Sequence, residues 1–268
     1  MPEATAPAPA VRLDVAAGVV TLTMDQPATR NALTPELLAG LSDGLARAEA
    51  TPGARVVVLT HTGPAFCAGA DLREGPGAGG AAAGGAAVAD LATVLAAIQD
   101  SPLPVVARVA GHCLGGGVGL AAACDVSIVA DDVRIGFTEV RLGVAPAIIS
   151  VVCLPKLRRG DALQLFLTAE RMPAARAVEV GLLTRAVPAG DLDRAVADAV
   201  TALMAGGPRA LAAAKALVYR VPGRERDEAF AAAKELSGQL FASDEAAEGR
   251  AAFREKRPPA WAPAPADG

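Results

Sequence analysis

The sequence predicts an α/β fold with a helical C-terminal part, and three observations carry that expectation. Short, continuously apolar runs recur: "RVVVLT" (55–60), "PVVARVA" (104–110) and "CDVSIVA" (124–130). Such runs suit strands buried on both faces of a sheet. Stretches with helical spacing lie between them, roughly every 20 residues, which is α/β layering. From about residue 157 onward the patterns turn helical.

The elements follow in order. Residues 11–24, "VRLDVAAGVVTLTM", alternate apolar and polar around "AAG", a β-hairpin signal. Thr34-Pro35-Glu36 then opens a helix, with threonine as N-cap, proline at the first helical position and an acid in the first turn. Leu37, Leu38, Leu41, Leu45 and Ala48 follow at helical spacing. Residues 75–87, "GPGAGGAAAGGAA", have no side chains able to fix a conformation and read as a mobile surface loop. A helix is expected over about 88–100. "RGDALQLFLTAE" and "PAARAVEVGLL" read as helices, the second with Pro173 at its first position. Residues 192–206, 208–220 and about 224–256 carry long Ala/Leu patterns. No internal sequence repeat is visible. The expected organisation is a tail over 1–10, a core over 11–195, a helical region over 196–257 and a tail over 258–268.

Composition narrows the function classes. The 268 residues are 52% apolar and 20% charged, enough for a sizeable core. Aromatics make up only 3%, so small aliphatic residues must build that core. A net charge of −4, with no clustered basic surface, argues against nucleic acid. Cys67, Cys113, Cys124 and Cys153 are widely spaced, which suggests free thiols in a reducing compartment and no metal site. The N-terminal "MPEATAPAPA" lacks the features of a secretory signal, and no uninterrupted apolar run reads as a membrane span. A cytoplasmic protein is expected.

The usual catalytic signatures are missing. With only His61 and His112, a Ser-His-Asp triad has few options, and no G-x-S-x-G elbow occurs. The glycines of "GGGVGLA" are followed by no Walker lysine and form no G-x-G-x-x-G. Two backbone-rich elements remain: "GPAFCAGADL" (63–72), directly after a strand, and "GGGVGLAAACD" (115–125), before a small-residue helix. Amides at tight turns and helix starts are oriented donors, and two that converge on a negative oxygen form an oxyanion hole. The same elements also read as plain tight turns against a close-packed helix.

"FCAGADL", "LGGG…ACD" and "FTEVRLG", with "EGRAAFREKR" (248–257) near the C-terminus, resemble the enoyl-CoA hydratase/isomerase family, also called the crotonase family. The resemblance covers roughly residues 11–257. It implies a spiral of repeated β-β-α units followed by a helical region that packs trimers, commonly paired into hexamers. It also implies an acyl-CoA thioester substrate, with coenzyme A as part of the substrate and no separate cofactor. The oxyanion amides implied by motif position are those of Ala68 and Gly116.

Many family hydratases hold a water between two glutamates. The resemblance puts one of these positions at Gly119, where the acid is absent, and the other at Glu139, where it is present. The catalytic set implied is therefore Glu139 with Ala68 and Gly116. Hydration of a 2-enoyl-CoA is the first expectation. Isomerisation of a 3-enoyl-CoA by the single acid, or a silent acyl-CoA-binding homologue, are the alternatives. Arg141 could hold a substrate carboxylate or pair with an acid. His112 is expected to be structural. Arg30, Ala32, Ala70, Asp71, Leu72 and Gly115 are candidates for the CoA side, and Phe253 and Lys256 are candidates to reach CoA or the acyl chain across a subunit boundary.

Overall fold

A computed structural model describes residues 8–70 and 90–262. The expected hairpin forms from β1 (Val11–Ala16) and β2 (Val19–Met24), in antiparallel register. Helix α1 (Pro35–Ala50) starts as its sequence dictates. Thr34 Oγ1 accepts from the Leu37 amide at 3.2 Å, and the leucine face is buried. Three β-β passes follow. They are β3 (Val56–His61) with β4 (Ala65–Cys67), β5 (Val105–Val109) with β6 (His112–Leu114), and β7 (Val126–Ala130) with β8 (Arg134–Gly136). Helix α2 (Leu91–Asp100) separates the first two passes and α3 (Gly116–Ala123) the last two. The third leads into α4 (Ala147–Cys153) and α5 (Arg159–Thr168). Then come β9 (Met172–Pro173), α6 (Ala174–Glu179), β10 (Arg185–Val187) and α7 (Leu192–Met204).

The first strand of each pass joins a sheet of order β1-β2-β3-β5-β7-β10, and the second joins a smaller sheet, β4-β6-β8-β9. The chain thus winds as a spiral of β-β-α units. Strands of the small sheet are three residues or shorter, too short to leave an alternating pattern, so the structural repeat has no counterpart in the sequence. All eight residues of α3 are buried among the surrounding elements.

Helices α8 (Pro208–Arg220), α9 (Arg226–Phe241) and α10 (Asp244–Glu255) complete the chain. The single pattern over 224–256 is two helices, because Ser243 ends one and caps the next, its Oγ accepting from Ala246 N at 3.2 Å. Pro173 is the N-cap of α6, not its first residue, since its extended backbone also serves β9. Helix α2 begins at Leu91, capped by Asp90; the loop expected at 75–87 lies outside the described residues.

The segment 258–262, expected as a free tail, is held in place. Arg55 donates to Trp261 O at 2.8 Å, and Trp261 Nε1 donates to Ala205 O at 3.1 Å. Buried Lys215 of α8 fastens the helical region to the core. Its Nζ meets Asp125 Oδ2 at 2.8 Å and donates to Ile98 O at 2.7 Å. All four cysteines are free and buried, and burial pushes the Cys67, Cys124 and Cys153 thiols up to about 12, which leaves them inert. Among the described residues no His, Cys, Asp or Glu group could hold a metal, and no helix is long and apolar enough to cross a membrane.

Candidate active site

Strands β4, β6 and β8 pair in parallel, so their C-terminal ends share one edge of the small sheet. That edge brings together three segments far apart in sequence: 68–70 after β4, 115–116 after β6, and 137–139 after β8. Binding at the carboxyl ends of parallel strands is a general consequence of such sheets.

The glycine run now has a local explanation. Gly115 has φ +52° and ψ −126°, a conformation that a side chain would strain, and it turns β6 directly into α3. Its amide donates to Gly136 O at 2.9 Å. Gly116 is the first residue of α3, so its N–H has no intrahelical acceptor, and no hydrogen bond among the described residues engages it. Gly117 packs on β4: a Cβ there would lie 2.7 Å from Cys67 O.

The Ala68 amide does not fill the role expected of it. It donates to Arg30 O at 3.1 Å and is already engaged. Gly69 N meets Cys67 Sγ at 3.4 Å. Ala70 bridges Leu33 in parallel through Gly69 O, which accepts from Leu33 N at 2.8 Å. No described hydrogen bond engages Ala70 N–H, and Ala70 lines the cavity. Gly69 lies against the start of α3, its ideal Cβ position 3.6 Å from Gly116 N. The amides at this edge that no described hydrogen bond engages are those of Ala70 and Gly116, and both residues line the cavity. The sequence could not choose between the two alanines of "CAGAD", because the choice depends on which amide the Arg30 carbonyl takes.

Glu139 opens a 3-10 turn, Glu139–Leu142, which ends at Gly143. Its Oε1 lies 3.3 Å from where a Cβ on Gly115 would stand, so the carboxylate sits beside the glycine turn. Oε2 is buried and has no hydrogen-bond partner among the described residues. Burial raises the carboxyl pKa, opposed in part by the amides of Glu139 and Thr138.

A cavity of about 570 Å³ opens here, lined by Ala68, Gly69, Ala70, Gly115, Gly116 and Glu139 with a largely aliphatic wall that includes Leu33, Leu91 and Ile149. Gly119 is not part of that wall. It is fully enclosed: a side chain there would run into Ile149 of α4, whose Cβ is 2.9 Å from the ideal Cβ position and whose Cγ2 is closer still. The volume that a second acid would need is taken by an isoleucine that is itself only 2% exposed.

The remaining candidates disperse. Arg141 is exposed and directed at the end of α5, donating to Thr168 O at 3.5 Å, and it does not line the cavity. Arg30 meets the site through its backbone, and buried Ala32 lies behind it. Asp71 and Leu72 lie outside the described residues. Phe253, 86% exposed, and Lys256, which caps α10, lie away from this chain's cavity; Phe253 lines a separate hollow in the helical region with Phe241 and Trp261. His112 Nδ1 accepts from Arg134 N at 3.1 Å, a structural contact.

Two contributors escaped the sequence reading. Fully buried Asn31 donates to Thr62 O at 3.0 Å and Ala65 O at 2.9 Å, and its Oδ1 accepts from Gln26 N at 2.8 Å, which fixes the loop behind Ala68. The signal was a lone amide in "TRNAL", with nothing local to show its partners. Ile149 gave no signal, since its meaning depends on packing against Gly119.

Comparison with known proteins shows the family. The enoyl-CoA hydratase/isomerase family model matches residues 14–264. The chain belongs to this family. It is 33% identical over 253 residues to "Probable enoyl-CoA hydratase echA8" of Mycobacterium tuberculosis, covering 93% of this chain and 95% of that protein. Among solved structures, an enoyl-CoA hydratase from Mycobacterium smegmatis superposes with TM-score 0.85 at 32% identity, over 94% of this chain and 99% of that one. Pseudomonas aeruginosa AtuE superposes with TM-score 0.87 at 31% identity, again over 94% and 99%. The architecture is the crotonase fold of the family: a spiral of β-β-α units with a helical C-terminal region.

Proposed function

We propose that this enzyme of the family hydrates a 2-enoyl-CoA thioester, with Glu139 as the acid/base and the Ala70 and Gly116 amides holding the enolate oxygen. The observation that carries the reading is the Glu139 carboxylate beside the glycine turn, whose buried Oε2 has no partner among the described residues. A carboxylate oxygen without a protein partner can accept from a water, and its raised pKa suits a group that takes and returns a proton near neutral pH.

In this reading Glu139 takes a proton from water as the oxygen bonds to C3. The C2=C3 pair shifts, and negative charge gathers on the thioester oxygen. Donors fixed at that oxygen are worth about 3–4 kcal/mol each in other acyl-transfer enzymes. Glu139 then returns the proton to C2. One carboxylate serves both steps, so hydrogen and hydroxyl add to the same face of the double bond.

Ile149 favours a second reading. It fills the space beside Gly119, so no carboxylate stands at that position to hold the water. Moving a proton from C2 to C4 of a 3-enoyl-CoA needs no water and one base only. Purified protein given a 2-enoyl-CoA and a 3-enoyl-CoA separates the two reactions. Loss of the conjugated thioester absorbance, with formation of a 3-hydroxyacyl-CoA, supports hydration. Appearance of that absorbance from the 3-enoyl-CoA alone moves the assignment to isomerisation. Binding of both esters without turnover leaves an acyl-CoA-binding protein. Exposed Phe230, Phe241 and Phe253 on α9 and α10 support assembly with further copies of the chain, as a trimer or a pair of trimers.

A further inference from the structure

Ile148 stands between two hollows. On one side it lines the catalytic cavity, next to Ala147 and Ile149. On the other it lines a second hollow of about 290 Å³, walled by Ala92, Leu95, Ala96 and Gln99 of α2 and by Val151 and Val152 of α4. The same two helices build both spaces: Leu91 faces the first, and the next turns of α2 face the second. Apart from Gln99, every side chain on the second hollow is aliphatic. Ile148 is only half-buried and packs on the edge of the core, so nothing locks it in place as Ile149 is locked against Gly119.

We propose that Ile148 sets the length of the acyl chain, and that the hollow between α2 and α4 is a subsite for the distal methylenes of a longer one. The occupant is the substrate's own hydrocarbon tail, since Ile148 is a wall of both spaces and no charged side chain among the described residues lines the hollow. With isoleucine in place, the cavity ends at Ile148 and short acyl groups are preferred. Each methylene that passes the barrier and leaves water gains roughly fourfold in affinity. The proposal rests on the acyl thioester reading above.

The test compares four-, eight- and twelve-carbon 2-enoyl-CoA substrates on the wild-type protein, Ile148→Ala, and Ile148→Ala combined with Ala96→Phe. Binding of the matching saturated acyl-CoA esters is measured by calorimetry alongside. In Ile148→Ala the twelve- to four-carbon ratio of kcat/KM, and of affinity, should rise by about tenfold or more. Refilling the hollow with Ala96→Phe should return the ratio toward wild type. A ratio within about twofold of wild type in Ile148→Ala overturns the gate, and a gain that survives Ala96→Phe overturns the subsite. Failure of the catalytic reading looks different: no ester is turned over by the wild type, while the saturated esters still report on the subsite.

Discussion

Helix α3 buries all eight of its residues, whereas α9, at 16 residues, buries none. The two sit in one chain and are stabilised by opposite means. An apolar, small-residue helix with no polar face has to be enclosed, and α3 is packed so closely that Gly116 and Gly117 have no room for a methyl group. That density fixes the Gly116 amide and the Glu139 carboxylate relative to each other. The outer helices hold to the core largely through polar ties, notably Lys215 on Asp125 and Arg55 on the carbonyls of Gly206 and Trp261. Chemistry is built where packing allows no adjustment, and the surface left over is free for contact with other molecules.

The sharpest way to probe the core side is Glu139→Gln. Turnover should fall by about 10²- to 10⁴-fold, the usual worth of a positioned acid/base, with acyl-CoA affinity little changed. Stability should move the other way. The folded-state pKa of Glu139 is raised by burial, so folding favours the neutral carboxyl. That contribution is complete below the ordinary glutamate range and is lost as pH rises through the raised folded value. Near neutral pH the wild type therefore carries a cost that glutamine lacks. Melting curves across pH should show Glu139→Gln more stable at neutral pH, with the gap closing in acid. A variant that melts lower throughout would mean that Glu139 has a hidden partner.

At the join between the regions, Lys215→Met should cost about 3–5 kcal/mol, because it strands a buried carboxylate. Lys215 is only 7% exposed, and Asp125 also accepts from Val105 N at 2.7 Å. Adding Asp125→Asn removes the stranded charge and keeps an acceptor for that amide, so the double variant should recover part of the loss in chemical denaturation. The exposed Arg226–Asp227 pair on α9, each side chain 79% exposed, should be worth less than about 1 kcal/mol. If the two pairs contribute alike, the contrast between packed core and tied-on helices fails.

What the sequence could disclose divides along the same line. The buried strands, the Thr34 cap and the paired glycine-rich elements were legible because periodicity and capping are local. The partners of Ala68, Gly119 and Arg141 were not. Ala68 N–H is taken by a carbonyl 38 positions earlier, at Arg30; the space at Gly119 is taken by Ile149; Arg141 lies across from Glu139 by two positions yet points to α5, since the segment is a 3-10 turn and not a strand. Each of these depends on which distant group arrives first at a shared space.

Phe230→Ser on α9 gives the smallest expected effect on the chain itself and tests the outer side of the comparison. The ring is 69% exposed, so within one chain there is little packing to lose, and folding stability measured at high dilution should change by no more than about 0.5 kcal/mol. Assembly should respond where folding does not. If the aromatic faces of α9 and α10 receive another copy, sedimentation of Phe230→Ser should show a shift to lower mass at concentrations where the wild type stays assembled. A loss of several kcal/mol with no change of mass would place Phe230 within its own chain's packing, and α9 would then belong with α3 rather than opposite it.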